Sequence, residues 1–355
     1  MASRLLVQRD DLTHTRMDTT PSSELTEGQV QIAVERFAVT ANNITYGVAG
    51  DMIGYWQFFP AEEDMGCIPV WGIGRVTEST VDQIDVGTRY YGYFPMGDSL
   101  TVEPQKVGPN GFTDGAEHRS ALPVVYNQYV RVGADNGFAD GQDNHHMLYR
   151  PLFTTSFVLD DYLEDNSFFG AQQIVLGSAS SKTAIGLAWM LSQRDNVTCV
   201  GLTSAGNKAF VESMGLYDSV LTYDEVESMQ QVPSAYVDMA GNREVLSRVH
   251  HHLTDNLTCS CGVGITHWDS RDGAAPDSLP GAAPSMFFAP SQIVKRNEEL
   301  GPAVYQQKLG EATARFFAAV DAWINIEEFG YDQLQQVYTT VLQGPAPSTG
   351  YVVAV

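Results

Sequence analysis

The sequence predicts an α/β protein in two parts: an irregular β-rich part and a parallel sheet wound with helices. Three observations predict it. Up to about residue 150, short alternating stretches are broken by glycine, proline and aromatic residues, as in a small barrel or sandwich. Beyond about residue 170, apolar runs alternate with helical patterns of roughly 10–15 residues, the pattern of βαβ units. The length, 355 residues, suits about two domains at roughly 100–200 residues each.

Taken in order, residues 29–40 (QVQIAVERFAVT) alternate polar and apolar side chains as a half-buried strand does. Residues 68–76 (IPVWGIGRV) and 86–94 (VGTRYYGYF) supply further strands. Residues 107–121 and 131–147 are rich in Gly, Asp and Asn and predict loops. Residues 152–169 read as a helix whose acidic run, Asp160 to Asp165, is a solvated face. Next come an apolar strand at 173–177, a turn of small residues, and a helix at 183–193. A strand at 197–202, a helix at 205–214 and strands at 219–222 and 235–239 follow. A helix at 243–252 then leads to a strand at 258–265 and a Gly/Ala/Pro-rich loop at 270–284. The remainder predicts helices at 309–325 and 331–342 and a last strand at 351–355.

With 43 acidic against 20 basic side chains, the formal charge is −23. Such a surface repels phosphate backbones and anionic leaflets, which argues against nucleic acid and membrane partners. No apolar run approaches the ~20 residues that span a bilayer, and the first residues show no apolar stretch leading to a small-residue cleavage site. The expectation is a soluble, cytoplasmic protein. Cys67, Cys199, Cys259 and Cys261 are too few and scattered for a disulfide framework, so free buried thiols are expected. Only five basic residues are lysines: Lys106, Lys182, Lys208, Lys295 and Lys308.

The most informative segment is IVLGSASSKTAIG, residues 174–186. A buried strand enters a turn of small residues and then a helix whose first amides and dipole favour an anion. Dinucleotide folds meet this need with G-x-G-x-x-G; here Ser178, Ser181 and Ala184 stand in those places. A P-loop would need a second glycine before Lys182 and Thr183, and that residue is missing. After the second strand, NAD-selective folds place a carboxylate for the ribose, whereas this chain offers Thr203, Ser204, Asn207 and Lys208. A carboxylate repels a 2′-phosphate and this set could bind one, so NADP(H) is expected over NAD(H). The candidate cofactor residues are Ser178, Ser180, Ser181, Lys182, Thr183, Thr203, Ser204 and Lys208, together with Tyr223 after the third strand.

In order along the chain, these segments resemble the medium-chain dehydrogenase/reductase superfamily, in particular its quinone-oxidoreductase and enoyl-reductase branches. Residues 30–54 resemble its strand followed by Asn-x-x-Asp/Tyr and a glycine; DVGTRYYG at 85–92 matches its "vGdrV-G" turn, and YNQY at 126–129 its "yAEy" strand. MGLYD at 214–218 resembles "LGAD", VDMAG at 237–241 resembles "vDsvG", and the ending from Leu342 to Val353 resembles "l-x-x-G…GKvVl". With its serine-rich turn, the chain looks like a divergent branch. The resemblance implies a GroES-like β-barrel domain at 1–150 and 290–355, and a Rossmann domain, a doubly wound parallel sheet that binds the dinucleotide, at 151–289. It also implies a homodimer.

Zinc-dependent members use a Cys, a Gly-His-Glu motif and a further Cys or Asp, since tetrahedral zinc needs three protein ligands and an open position. Here Asn43 stands near the first position and Trp71-Gly72-Ile73-Gly74 replaces Gly-His-Glu, so no metal is expected. His250, His251 and His252 read as partly solvated helix surface. The resemblance then implies a zinc-independent, NADPH-dependent reduction of an activated C=C, a quinone or a carbonyl. Asn43, Tyr46 and Tyr55 are the candidate catalytic residues, as donors to developing negative charge and as a proton source. The aromatic residues around them suit an apolar or conjugated small molecule. The alternative is a pseudo-enzyme that keeps the fold and serves as a ligand-binding or interaction protein, because the cofactor turn has lost its glycines.

Overall fold

The computed structural model describes residues 1–355 except 22, 53, 63 and 264–278. It divides the chain into two compact units, Met1–Leu148 with Asn325–Val355, and Tyr149–Ile324. The end of the expected strand at 258–265 and most of the expected loop at 270–284 lie outside the described residues.

The first unit is built on strands. Val30–Val39 alternates buried and half-buried positions and pairs antiparallel with Pro69–Ser79, which pairs in turn with Arg89–Pro95. Glu35 on the first strand binds Arg75 on the second and Arg89 on the third, each at 2.7 Å. On the other side of Val30–Val39 lies Thr349–Ala354, with Tyr351 opposite Val39. Eight of the nine strands form one hydrogen-bonded path, the ninth, Ser99–Val102, pairs off it with Val30–Val39, and among the described residues no ladder joins the two ends of the path. Among the described residues the barrel expected for this part is not a closed one. A separate sheet pairs Ala2–Gln8 with Thr15–Thr20 and with the short Met65–Gly66 strand. The core is strongly aromatic, with Phe37, Phe58, Tyr93, Phe94 and Tyr129 fully buried.

The second unit holds a six-stranded, all-parallel sheet. Its spatial order is Ser219–Thr222, Thr198–Thr203, Gln173–Gly177, Ser234–Asp238, Leu257–Gly262, Pro284–Met286. In order of appearance this is 3-2-1-4-5-6, the doubly wound arrangement that changes direction beside the first strand. Three of its four inner strands, Thr198–Thr203, Gln173–Gly177 and Ser234–Asp238, are almost wholly buried because both faces are covered. Val245, Leu246, Val249 and Leu253 of helix Arg243–Leu253 close one cluster against Val175, Val200, Leu202 and Tyr236. The outermost strands are only four and three residues long.

Several expectations change. The helix expected at 152–169 runs over Asp143–Asp165 and passes through Pro151. A proline normally stops a helix, but Met147, Leu148 and Tyr149 ahead of it are buried, and that packing outweighs the lost N–H bond. The loop expected at 107–121 contains the Pro104–Gly108 and Gly111–Asp114 strands, a polar hairpin with little apolar signal beyond Phe112. The helix expected at 309–325 is Pro302–Val320, preceded by a second helix, Ala289–Leu300. Gly301 at φ +83° ends the first, and Pro302 supplies a preset φ at the first position of the next.

Candidate functional site

In the parallel-sheet unit, the candidate residues gather at the carboxyl ends of the first three strands. Gln173–Gly177 ends at Gly177, where an added Cβ would sit 2.7 Å from the Tyr236 hydroxyl and 3.2 Å from Asp238 Oδ1. Both neighbours belong to the fourth strand, so this glycine marks the point where the winding changes direction. Ser178 follows at φ +55°, a left-handed conformation that favours glycine. The chain thus keeps the glycine-type turn while carrying serine in it.

Ser181 caps the helix Lys182–Leu191, its hydroxyl accepting from Ala184 N at 3.3 Å. The N–H of Thr183 has no hydrogen-bond partner among the described residues, as expected of an open first turn. Lys182 opens this helix half-buried, and burial draws its ammonium down to about 8.

The second turn is tied to the first. Ala179 N donates to Leu202 O at 2.9 Å, and Asn207 Nδ2 donates to the Ser180 hydroxyl at 3.0 Å. Thr203 is fully buried and its hydroxyl has no partner among the described residues. Ser204 precedes a short 3₁₀ turn, and Lys208 opens the helix Lys208–Ser213. The third loop comes close through Tyr223, which lies near Ser178 and whose pKa is raised by burial. Lys208 reaches the same loop, pairing with Glu225 at 2.7 Å. All nine expected cofactor residues therefore lie on three connected loops. Glu225 was missed, although Thr222-x-x-Glu225 is a capping-box pattern readable in the sequence.

The catalytic candidates lie in the first unit. Asn43 is buried and its amide is committed at both ends: Oδ1 accepts from Thr40 N at 2.7 Å, and Nδ2 donates to Pro69 O at 2.8 Å. It caps the helix Ala41–Val48 and holds it to the neighbouring strand. Tyr46, on that helix, accepts a hydrogen bond from Asn42 Nδ2 at 2.7 Å. Gly54 at φ +78° starts the turn Tyr55–Gln57, which brings Tyr55 to 4.5 Å from Tyr46 between ring centroids. The Tyr55 and Tyr126 hydroxyls are 3.1 Å apart.

Around them stand Phe58, Trp71 and Tyr93, with Trp71 and Tyr93 centroids 5.0 Å apart. The Trp71 indole N–H and Tyr93 hydroxyl are buried and make no regular hydrogen bond within the described residues. Burial, with Tyr126 as neighbour, pushes the Tyr46 and Tyr55 hydroxyls well above the usual tyrosine range. Both remain protonated donors at neutral pH. Tyr126, missed as a site residue, carried a signal in the YNQY segment.

Among the described residues, no three His, Cys, Asp or Glu side chains are grouped to hold a metal ion. The four cysteines are free and buried, and burial pushes Cys67 and Cys259 up to about 11 and Cys261 up to about 12. His250, expected as partly solvated surface, is fully buried: its ring lies 2.9 Å from both Pro280 O and the Ser260 hydroxyl. His251 is exposed as expected and His252 half-buried. No described helix is long and apolar enough to cross a membrane.

A family model described as "Protein of unknown function (DUF2855)" matches residues 37–347. The chain belongs to that family. No curated protein matches this DUF2855 chain significantly. Solved structures match it over the full length. The yhdH oxidoreductase of Salmonella enterica, in complex with NADP, is 15% identical with a TM-score of 0.54, and 100% of each chain is covered. CurA of Vibrio vulnificus, in complex with NADPH, is 9% identical with a TM-score of 0.62 over 99% of each chain. A mutant enoyl thioester reductase of Candida tropicalis is 12% identical with a TM-score of 0.55, over 100% of this chain and 99% of its own. This DUF2855 protein has the fold of the medium-chain dehydrogenases/reductases.

Proposed function

We propose that this protein is an NADPH-dependent reductase acting on an activated C=C, a quinone or a carbonyl in a small apolar or conjugated molecule, without zinc. The observation that carries the reading is the convergence of three polar loops at the carboxyl edge of the 3-2-1-4-5-6 sheet. Two of the chain's five lysines lie on them. In a chain of net charge −23, a polyanion needs positive charge placed locally; Lys182 supplies it at the first turn, while Lys208 is held in an ion pair with Glu225. The solved structures of the same fold that hold NADP or NADPH support the reading.

The donor set suits the dinucleotide. The 178–181 turn and the Thr183 N–H would receive the pyrophosphate, with Lys182 beside them. Ser204, Lys208 and Tyr223 would receive the 2′-phosphate, and the unpartnered Thr203 hydroxyl lies at the same strand end. When bound, the nicotinamide supplies a hydride. Tyr55 and Tyr46 act as neutral donors: their raised pKa values keep the protons on the hydroxyls, where they can bond a carbonyl oxygen or return a proton. The rings of Phe58, Trp71 and Tyr126 supply an apolar wall. Asn43 serves by holding the helix that carries Tyr46.

A soluble, cytoplasmic homodimer belongs to the same proposal. Titration of NADPH and NADH by nucleotide fluorescence tests it, followed by single-turnover oxidation of NADPH with enones, quinones and aldehydes. Micromolar NADPH binding, with Tyr55→Phe slowing turnover at least tenfold while the NADPH Kd stays unchanged, is expected. Absence of binding up to millimolar concentrations refutes the reductase and leaves the non-catalytic ligand-binding alternative.

A further inference from the structure

We propose that Glu225 sets the cofactor preference of this site by occupying Lys208, so that a 2′-phosphate must displace an internal carboxylate before pairing with the lysine. The inference rests on the NADPH reading above and concerns a residue outside the expected set.

Lys208 Nζ lies 2.7 Å from Glu225 Oε2, and the same oxygen accepts from Thr222 N at 2.8 Å. The carboxylate is therefore anchored by the backbone as the capping partner of Thr222, and it does not wander freely on the surface. Glu225 follows Tyr223 by two residues on the loop after the strand Ser219–Thr222. The pairing raises the Lys208 pKa, through the Glu225 hydrogen bond first and the nearby charges of Glu225 and Glu212 after it. The other carboxylates of this loop are turned elsewhere: Asp224 and Glu227 both face Arg248.

The charge consequence is direct. A lysine alone offers one positive charge to a 2′-phosphate of nearly two negative charges. With Glu225 attached, the pair offers none, and the anchored carboxylate also repels the phosphate. NADH, with a 2′-hydroxyl in place of that phosphate, carries no charge there for either the lysine or the carboxylate to act on. The wild-type protein should therefore discriminate weakly, with NADPH and NADH affinities within about tenfold of each other, as expected for exposed charges screened by salt.

The test is Glu225→Gln, which removes the charge and keeps a side chain that can cap Thr222. Kd values for NADPH and NADH are measured by calorimetry on wild type, E225Q, K208A and the double variant. E225Q should tighten NADPH about five- to tenfold, leave NADH within about twofold, and steepen the dependence of NADPH affinity on salt. K208A should weaken NADPH more in the E225Q background than in wild type, because the lysine is then unmasked. Glu225→Ala should give the same nucleotide shift with a lower melting temperature, separating charge from fold. If wild type binds NADPH but E225Q changes neither nucleotide, the role of Glu225 is refuted and the NADPH reading stands. If wild type binds neither nucleotide, the NADPH reading falls and this inference with it.

Discussion

Lys182 gives the sharpest prediction for the cofactor edge. It opens the helix Lys182–Leu191, and burial draws its pKa from 10.5 to about 8. Near pH 8 about half of this side chain is neutral. A pyrophosphate beside it favours the ammonium and returns its pKa toward the ordinary range. NADPH binding must then take up protons: about 0.1 per site at pH 7, about 0.5 at pH 8 and about 0.9 at pH 9. The sign follows, because the bound state holds more protons than the free state between the two pKa values. Affinity should fall about tenfold from pH 7 to pH 9. Calorimetry in two buffers of different ionisation enthalpy reads the uptake directly, and Lys182→Met should abolish it. Zero uptake at pH 8, or equal uptake in K182M, would refute the placement of Lys182 against the pyrophosphate.

The remaining predictions concern the framework. Asp114→Asn leaves the buried Arg119 guanidinium without the carboxylate 2.5 Å away, a loss of about 3–5 kcal/mol. At about 2–4 °C per kcal/mol, thermal melting should fall by roughly 6–20 °C, and a loss under about 1 kcal/mol would show the pair to be better solvated than its burial implies. Gly177→Ala should destabilise by about 1–3 kcal/mol, because its Cβ meets the Tyr236 hydroxyl at 2.7 Å. Adding Tyr236→Phe removes that oxygen, so the double variant should recover most of the loss in chemical denaturation. A purely additive pair would place the strain elsewhere.

The parallel-sheet unit was largely legible in the sequence, because apolar runs and helix periodicity alternate there without interruption. The Gln173–Gly177 strand has the expected bounds, and the strands at its sides shift by one residue. The lysines at the two turns were legible for a different reason: in a lysine-poor chain, position carries information. What stayed hidden depends on tertiary packing. The strand Asn325–Gly330 is half exposed and carries two adjacent glutamates, so no alternation announces it. The Asp143–Asp165 helix crosses a proline that local reasoning treats as a stop. Asn43 reads as a donor in the sequence, whereas folding spends its amide on a cap and a strand carbonyl. The Tyr55–Tyr126 pair joins residues 71 positions apart, a distance no local pattern encodes.

The six-stranded sheet has one more property, which concerns its borders. Its outer strands, Ser219–Thr222 and Pro284–Met286, present four and three residues, and the second begins with a residue that has no N–H to donate. A passing strand finds too few open groups on either side to zip along. The parallel sheet can meet a single matching surface, yet it offers no template for unlimited lateral growth.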